Sequence, residues 1–256
     1  MLSRIFRIPD PKPTVSSREE FQHVLTTFLD RNATRTEPQK MILVGPHGCG
    51  KTSLLFSLAM TFSEEGKNVL FICPKKVSTL PILPEGEQKP STSILRKIHM
   101  VYLETREEFL KYMASIHCNL DVVFHCLIVD GLDSYVTGAA KNEDLTVMAR
   151  LLAFTVDAFN FELEKLKKED AIMTNSMLVI SITIETSTIP IPRQNLYERW
   201  IDYILRIKSR KDFRSGERQF ELSVLPPQCK QGESNTLIDV NYLLTDTHFS
   251  VSEISA

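Results

Sequence analysis

Glycine is scarce in this chain: nine in 256 residues, and three of the nine fall between residues 45 and 50. Cysteine is also sparse and odd in number, and Cys49, Cys73, Cys118, Cys126 and Cys229 form no C-x-x-C pair. That speaks against a disulfide framework and fits a reduced, intracellular compartment. Cys73 and Cys126 sit in apolar, strand-like runs and are expected as buried thiols. Neither charge sign is in excess, with 30 Lys and Arg against 32 Asp and Glu. Global charge therefore predicts neither nucleic-acid nor membrane binding, and any such contact must come from a local patch. No apolar run approaches the roughly 18–20 residues needed to span a membrane. The N-terminal MLSRIFRIP carries two Arg but no apolar stretch of secretory type. Asp10, Glu19 and Glu20 follow too soon for a good mitochondrial presequence.

The three clustered glycines mark the centre of the sequence. Met41–Val44 reads as a buried strand, and Gly45-x-x-x-x-Gly50-Lys51-Thr52 after it is a complete P-loop pattern. Glycines let the backbone curl so that successive N–H groups face phosphate oxygens. A helix starting near Lys51 adds its positive end. Gly45, Pro46, His47, Gly48, Cys49, Gly50, Lys51, Thr52 and Ser53 are thus the candidate ATP-binding residues. Lys51 can reach the β- and γ-phosphates, and the Thr52 hydroxyl can hold Mg²⁺. The run VVFHCLIVDG, from Val122, is an apolar strand ending in Asp130. A carboxylate at such a tip is the Walker B arrangement, ordering the Mg²⁺ shell beside the P-loop threonine. Lys51 and Asp130 are the candidate catalytic residues, and Thr52 and Asp130 the candidate metal ligands. His125, in mid-strand, reads as a core histidine.

Around these motifs the chain alternates strand and helix. Residues 1–15 read as an extended arm. Residues 16–31 form an amphipathic helix opened by the capping box Ser16-x-x-Glu19; it either packs on the main sheet or meets a partner. Val69–Cys73, Ile98–Leu103 and Met177–Ile184 are further strands. Residues 74–93 hold four of the 13 prolines and form a long loop at the strands' C-terminal edge, where open α/β sheets bind ligands. Thr105-x-x-Glu108 caps a helix to about His117, and Leu145–Lys168 is a long helix. Thr183 and Glu185 stand where a γ-phosphate sensor would sit, or are simply polar residues at a strand end. Ile201–Lys208 and Gln219–Leu225 read as a hairpin with a basic turn. Arg206, Lys208, Arg210, Lys211, Arg214 and Arg218, with Phe213 among them, can follow a phosphate backbone and stack a base. A solvated, charge-rich turn explains the same residues. One more short strand follows Pro226-Pro227. The expected fold is α/β: a P-loop NTPase with a mostly parallel twisted sheet and an antiparallel C-terminal hairpin. The expected division is an arm and helix over 1–37, an ATPase core over 38–228 and a terminal strand and tail over 229–256.

Among P-loop classes, a small-molecule kinase should show an arginine lid after the second carboxylate, and none is clear. An AAA-type ATPase carries a second acid directly after the Walker B Asp, and here that position is Gly131. The order GPHGCGKTSLLF, EEGKNVLFI, HCLIVDGLDSYV and YILRIKS…RQFELSVLPP resembles the RecA/RadA recombinase core, over about residues 38–228. Within it, LRKIHMVYLETREEFLKYMASIHC and LIVDGLDSYV resemble the SWIM-domain-associated ATPases, a divergent branch of recombinase paralogues. The resemblance implies a RecA-like core binding ATP and Mg²⁺. It implies a SWIM-type zinc-finger protein, a recombinase and its paralogues, and single-stranded DNA as partners in a nuclear, Shu-type complex for homologous recombination repair. It also implies a weak, DNA-stimulated ATPase. One departure stands out. Recombinases place a catalytic Glu just after the strand matching Val69–Cys73, and this chain has Pro74-Lys75-Lys76. Slow hydrolysis is expected, or another base such as Glu185. The DNA loops before the hairpin look short and the N-terminal DNA-binding domain looks absent, which points to an accessory protein.

Overall fold

The structure, a computed structural model, describes residues 38–118, 122–136, 144–168, 176–184, 191–210, 218–225 and 238–255. Among these, ten strands form one sheet in the order β3-β10-β9-β8-β7-β1-β6-β5-β2-β4. The strands are β1 (Gln39–Gly45), β2 (Val69–Cys73), β3 (Leu83–Pro84), β4 (Ile98–Tyr102), β5 (Cys126–Val129), β6 (Met177–Thr183), β7 (Tyr203–Ser209), β8 (Arg218–Leu225), β9 (Ile238–Leu244) and β10 (His248–Ser255). From β7 to β4 all pairings are parallel; β8, β9 and β10 extend the β7 side antiparallel. The helices are α1 (Lys51–Glu64), α2 (Thr92–Leu95), α3 (Arg106–Ser115), α4 (Asp144–Lys168) and α5 (Gln194–Tyr197).

The central strands are apolar on both faces because helices cover both. Met41, Leu43, Phe71, Ile128 and Val179 point into a core shared with α1 and the C-terminal strands. Ile42, Val44, Leu70, Leu127 and Ile180 point into a second core with α3 and α4. α1 is buried on nearly every side, from Leu54 through Phe62. Its sequence, LLFSLAMTF, lacks a polar stripe because there is no solvent face for one. The loop after β2 closes over it: the Ile82 N–H donates to Ser53 Oγ at 3.2 Å, and β3 then pairs with β10. α4 keeps an apolar stripe through Met148, Leu152, Val156, Phe159, Leu163 and Leu166, all buried.

Several expectations shift in detail. The single terminal strand is two, β9 and β10, paired as a hairpin with a bulge between Val251 and Glu253. Strand Cys126–Val129 is shorter than expected; of residues 122–125, His125 still donates its N–H to Asn68 O and accepts the Met177 N–H, both at 3.0 Å. Thr105 forms the expected capping box with Glu108, and the helix ends in a 3-10 turn. Cys73 and Cys126 are buried, as is Cys49. The amphipathic helix of residues 16–31 lies outside the described residues. Among the described residues no helix is long and apolar enough to cross a membrane.

Candidate nucleotide site

The P-loop leaves β1 at Gly45 and turns into α1 at Lys51. Gly48 and Gly50 have φ of 69° and 84°, the left-handed region that side chains avoid. Gly45 is required by packing: a Cβ there would lie 2.8 Å from Ile207 Cβ on β7. No side chain caps the start of α1 and no acidic residue occupies its first turn. Its N–H groups are therefore open to an anion. Lys51 is nearly buried and lies along the loop, with Nζ donating to Pro46 O at 2.8 Å and Gly45 O at 3.0 Å. Cys49 Sγ lies 3.9 Å from the same ammonium. Burial pushes the Cys49 thiol up, and the Lys51 charge opposes that.

The two residues expected to hold a metal meet directly. The Thr52 hydroxyl donates to Asp130 Oδ2 at 2.6 Å. β6 lies between β1 and β5, and its Ser181 completes the set. The fully buried Ser181 Oγ donates to Asp130 Oδ1 at 2.5 Å and accepts the Gly131 N–H at 2.8 Å. Both carboxylate oxygens are thus fixed by hydroxyl donors. Gly131, at φ 78°, turns the chain sharply after Asp130, and a Cβ there would come within 3.3 Å of Ser134 Oγ. That geometry disfavours the side chain that a second acid at this position would bring. Asp133 follows, accepting the Thr183 N–H at 3.0 Å. Its pKa is raised by burial, against the Thr183 hydrogen bond and the positive potential of Lys51 and His47.

These groups open onto a cleft of about 550 Å³ lined by His47, Gly48, Gly50, Lys51, Thr52, Lys75, Lys76, Asp130, Ser181, Thr183, Arg218 and Leu244, among others. The donor set suits Mg²⁺, a hard cation that takes one or two protein oxygens and keeps its waters. Among the described residues no group of three or more His, Cys, Asp and Glu could hold a metal. Cys73 lines the cleft too, its thiol pushed up to about 11 by burial and the Asp130 charge.

The C-terminal strands support the loop from behind. Tyr242 OH, fully buried on β9, donates to Cys49 O at 2.6 Å. A Cβ on Gly50 would meet Leu244 Cδ2 at 3.3 Å. Arg218, at the start of β8, donates from Nη1 to Gly48 O at 3.2 Å.

Most sequence candidates converge here. Gly45 and Pro46 supply carbonyls to Lys51, and Cys49 offers its carbonyl to Tyr242. Ser53 turns its hydroxyl to the loop at Ile82. The basic cluster divides. Lys208 and Arg210 lie at 3.8 and 3.3 Å from the Glu221 carboxylate. Arg206 is half-buried, its pKa lowered by burial. Arg218 stands at the nucleotide cleft. Lys211, Arg214 and Glu185 lie outside the described residues. Sequence reading missed Ser181, Tyr242 and Asp133. The one available signal was Ser181, a lone hydroxyl in the buried run MLVISIT, since buried polar groups need partners.

A sheet of this order with a P-loop after β1 and a carboxylate after β5 defines a RecA-like P-loop fold. A crystal structure of the RadB recombinase shares it, with a TM-score of 0.51 and 15% identity, covering 84% of this chain and 91% of that one. In sequence, the chain is 27% identical over 124 residues to the ATPase SWSAP1 of Mus musculus, covering 48% of this chain and 44% of that protein. The Homo sapiens ATPase SWSAP1 is likewise 27% identical over 124 residues, covering 53% of its length. The chain spans about half the length of the curated relatives it matches. No protein-family model matches it.

Proposed function

We propose that this chain is an ATP-binding recombinase paralogue, a subunit of a Shu-type complex in homologous recombination repair. The observation that carries the nucleotide part is the 2.6 Å Thr52–Asp130 hydrogen bond at the mouth of a loop that holds Lys51. Lys51 and the loop N–H groups would bind the phosphates. Thr52 and Asp130 would hold Mg²⁺, which would neutralise charge on the phosphates. Ser181 keeps the Asp130 carboxylate oriented. Similarity to the ATPase SWSAP1 supports the recombination setting. In this reading the partners are a SWIM-type zinc-finger protein, a recombinase and its paralogues, and single-stranded DNA at the 206–218 hairpin, in the nucleus.

The function has two forms. In one, the chain is a weak, DNA-stimulated ATPase. In the other it is a nucleotide-binding scaffold that acts through its zinc-finger partner without significant hydrolysis. Lys75 and Lys76 at the cleft, where a recombinase carries its catalytic Glu, favour the second. The test is ATP turnover with and without single-stranded DNA, beside Lys51→Ala. DNA-stimulated turnover lost in Lys51→Ala supports the enzyme. Nucleotide binding without turnover, with partner capture surviving Lys51→Ala, supports the scaffold.

A further inference from the structure

The cleft carries more positive charge than a P-loop needs. Lys51, Lys75, Lys76 and Arg218 line it, against Asp130 as the one carboxylate among the described lining residues. Lys51 is engaged by the loop carbonyls, and Asp130 by the Thr52 and Ser181 hydroxyls. The other three cations come from two segments far apart in sequence. Cys73 ends β2, and Pro74 packs beside the Asp130–Gly131 turn, where a Cβ on Gly131 would be 3.7 Å from Pro74 Cγ. Proline fixes its own φ and removes a donor, so the chain leaves the strand in one direction. That direction carries Lys75 and Lys76 over the cleft, both exposed, and neither ammonium pairs with a carboxylate among the described residues. Arg218 arrives from β8, held by Gly48 O at 3.2 Å, with Asp246 only at 3.9 Å. A guanidinium has five N–H donors, so most of its capacity is left.

We propose that Lys75, Lys76 and Arg218 form a clamp for the terminal phosphate, making this a site that discriminates triphosphate from diphosphate and retains the triphosphate. This rests on the reading of Gly45–Thr52 as a nucleotide loop. Two exposed lysines follow β2 at the cleft, and their charge would stabilise the terminal phosphate of a bound triphosphate. Arg218 serves this clamp from the first residue of β8, where it donates to Gly48 O. A guanidinium can bond phosphate oxygens in pairs and an ammonium acts as a point charge, so the two residue types differ in what they lose on substitution.

The test is equilibrium binding of fluorescent ATP and ADP analogues to the full chain, wild type against Lys75→Ala/Lys76→Ala, Arg218→Ala, Arg218→Lys and Lys51→Ala. The wild type should prefer ATP. The double lysine variant and Arg218→Ala should each lose roughly tenfold in ATP affinity, the scale of one charge-assisted hydrogen bond, with ADP affinity nearly unchanged. Arg218→Lys should recover part of the ATP preference. Equal losses for ATP and ADP in Arg218→Ala would show that Arg218 only props the loop, and would overturn its part. An unchanged ATP-to-ADP ratio in all the clamp variants, with Lys51→Ala weakening both nucleotides, would overturn the clamp while leaving the nucleotide loop standing. A wild type that binds neither nucleotide would overturn both.

Discussion

Tyr242 and Cys49 are 193 residues apart, and the tyrosine hydroxyl donates to the Cys49 carbonyl at 2.6 Å. Both are fully buried. The bond ties the last third of the chain to the middle of the phosphate loop. Tyr242→Phe keeps the ring, which stacks on Phe220 at 5.5 Å, and removes only the donor. A buried carbonyl left unsatisfied costs about 1–3 kcal/mol. The midpoint of urea unfolding should fall accordingly, and ATP affinity should fall with it because the loop is less ordered. A variant as stable as wild type would mean that the Cys49 carbonyl finds another donor.

Asp133 should give stability an acid-side signature. Burial raises its pKa above the ordinary 3.8, so the folded chain holds a proton where the unfolded chain has lost it. Stability contributed by this group therefore falls as pH rises from the ordinary value through the raised one. Asp133→Asn keeps an oxygen for the Thr183 N–H and removes the titration. Its unfolding free energy relative to wild type should rise with pH across that window and level off above it. Denaturation at several pH values measures the difference; a flat difference would show that this carboxylate does not titrate abnormally.

Glu162 is buried on α4, accepting the Phe124 N–H at 2.9 Å and an ammonium hydrogen bond from Lys165 at 3.2 Å. Lys165 also reaches Val122 O at 2.8 Å. This pair holds the lead-in to β5, and Asp130 directly follows β5. Glu162→Ala removes one half of a buried pair and should cost about 3 kcal/mol. Glu162→Gln keeps an acceptor for Phe124 and should cost less. Calorimetric melting separates the two, and equal melting temperatures for both variants and wild type would refute the anchoring role.

The hairpin assignment has its own test. Replacing Arg210, Lys211 and Arg214 with Ala should weaken single-stranded DNA binding. It should also flatten the salt dependence by about one unit of log–log slope for each phosphate no longer neutralised. Arg210 already lies 3.3 Å from Glu221, which competes with a phosphate for its guanidinium. DNA affinity that ignores all three substitutions would move the interface elsewhere.

The sequence alone determined the phosphate-loop pattern, the carboxylate at the tip of a buried strand and the sheet class. Each is written in local residue order: Gly45 to Thr52 fixes a turn through φ values and spacing, and an apolar run ending in Asp130 fixes a buried strand with a charged tip. Local backbone sterics and strand burial on both faces need no distant information. Tertiary structure alone decided the rest. Ser181 reaches Asp130 because β6 is laid between β1 and β5, and strand order follows from which surfaces bury best together. Arg218 read as part of a DNA-binding turn because its sequence neighbours are basic. It stands at Gly48 because β8 follows β7 antiparallel and so brings its first residue back beside β1's loop. Tyr242 meets Cys49 because β9 lies beside β8 and brings it under the loop. Pairings between residues so far apart in the chain depend on the packing of the whole sheet, and no short pattern of residues encodes them.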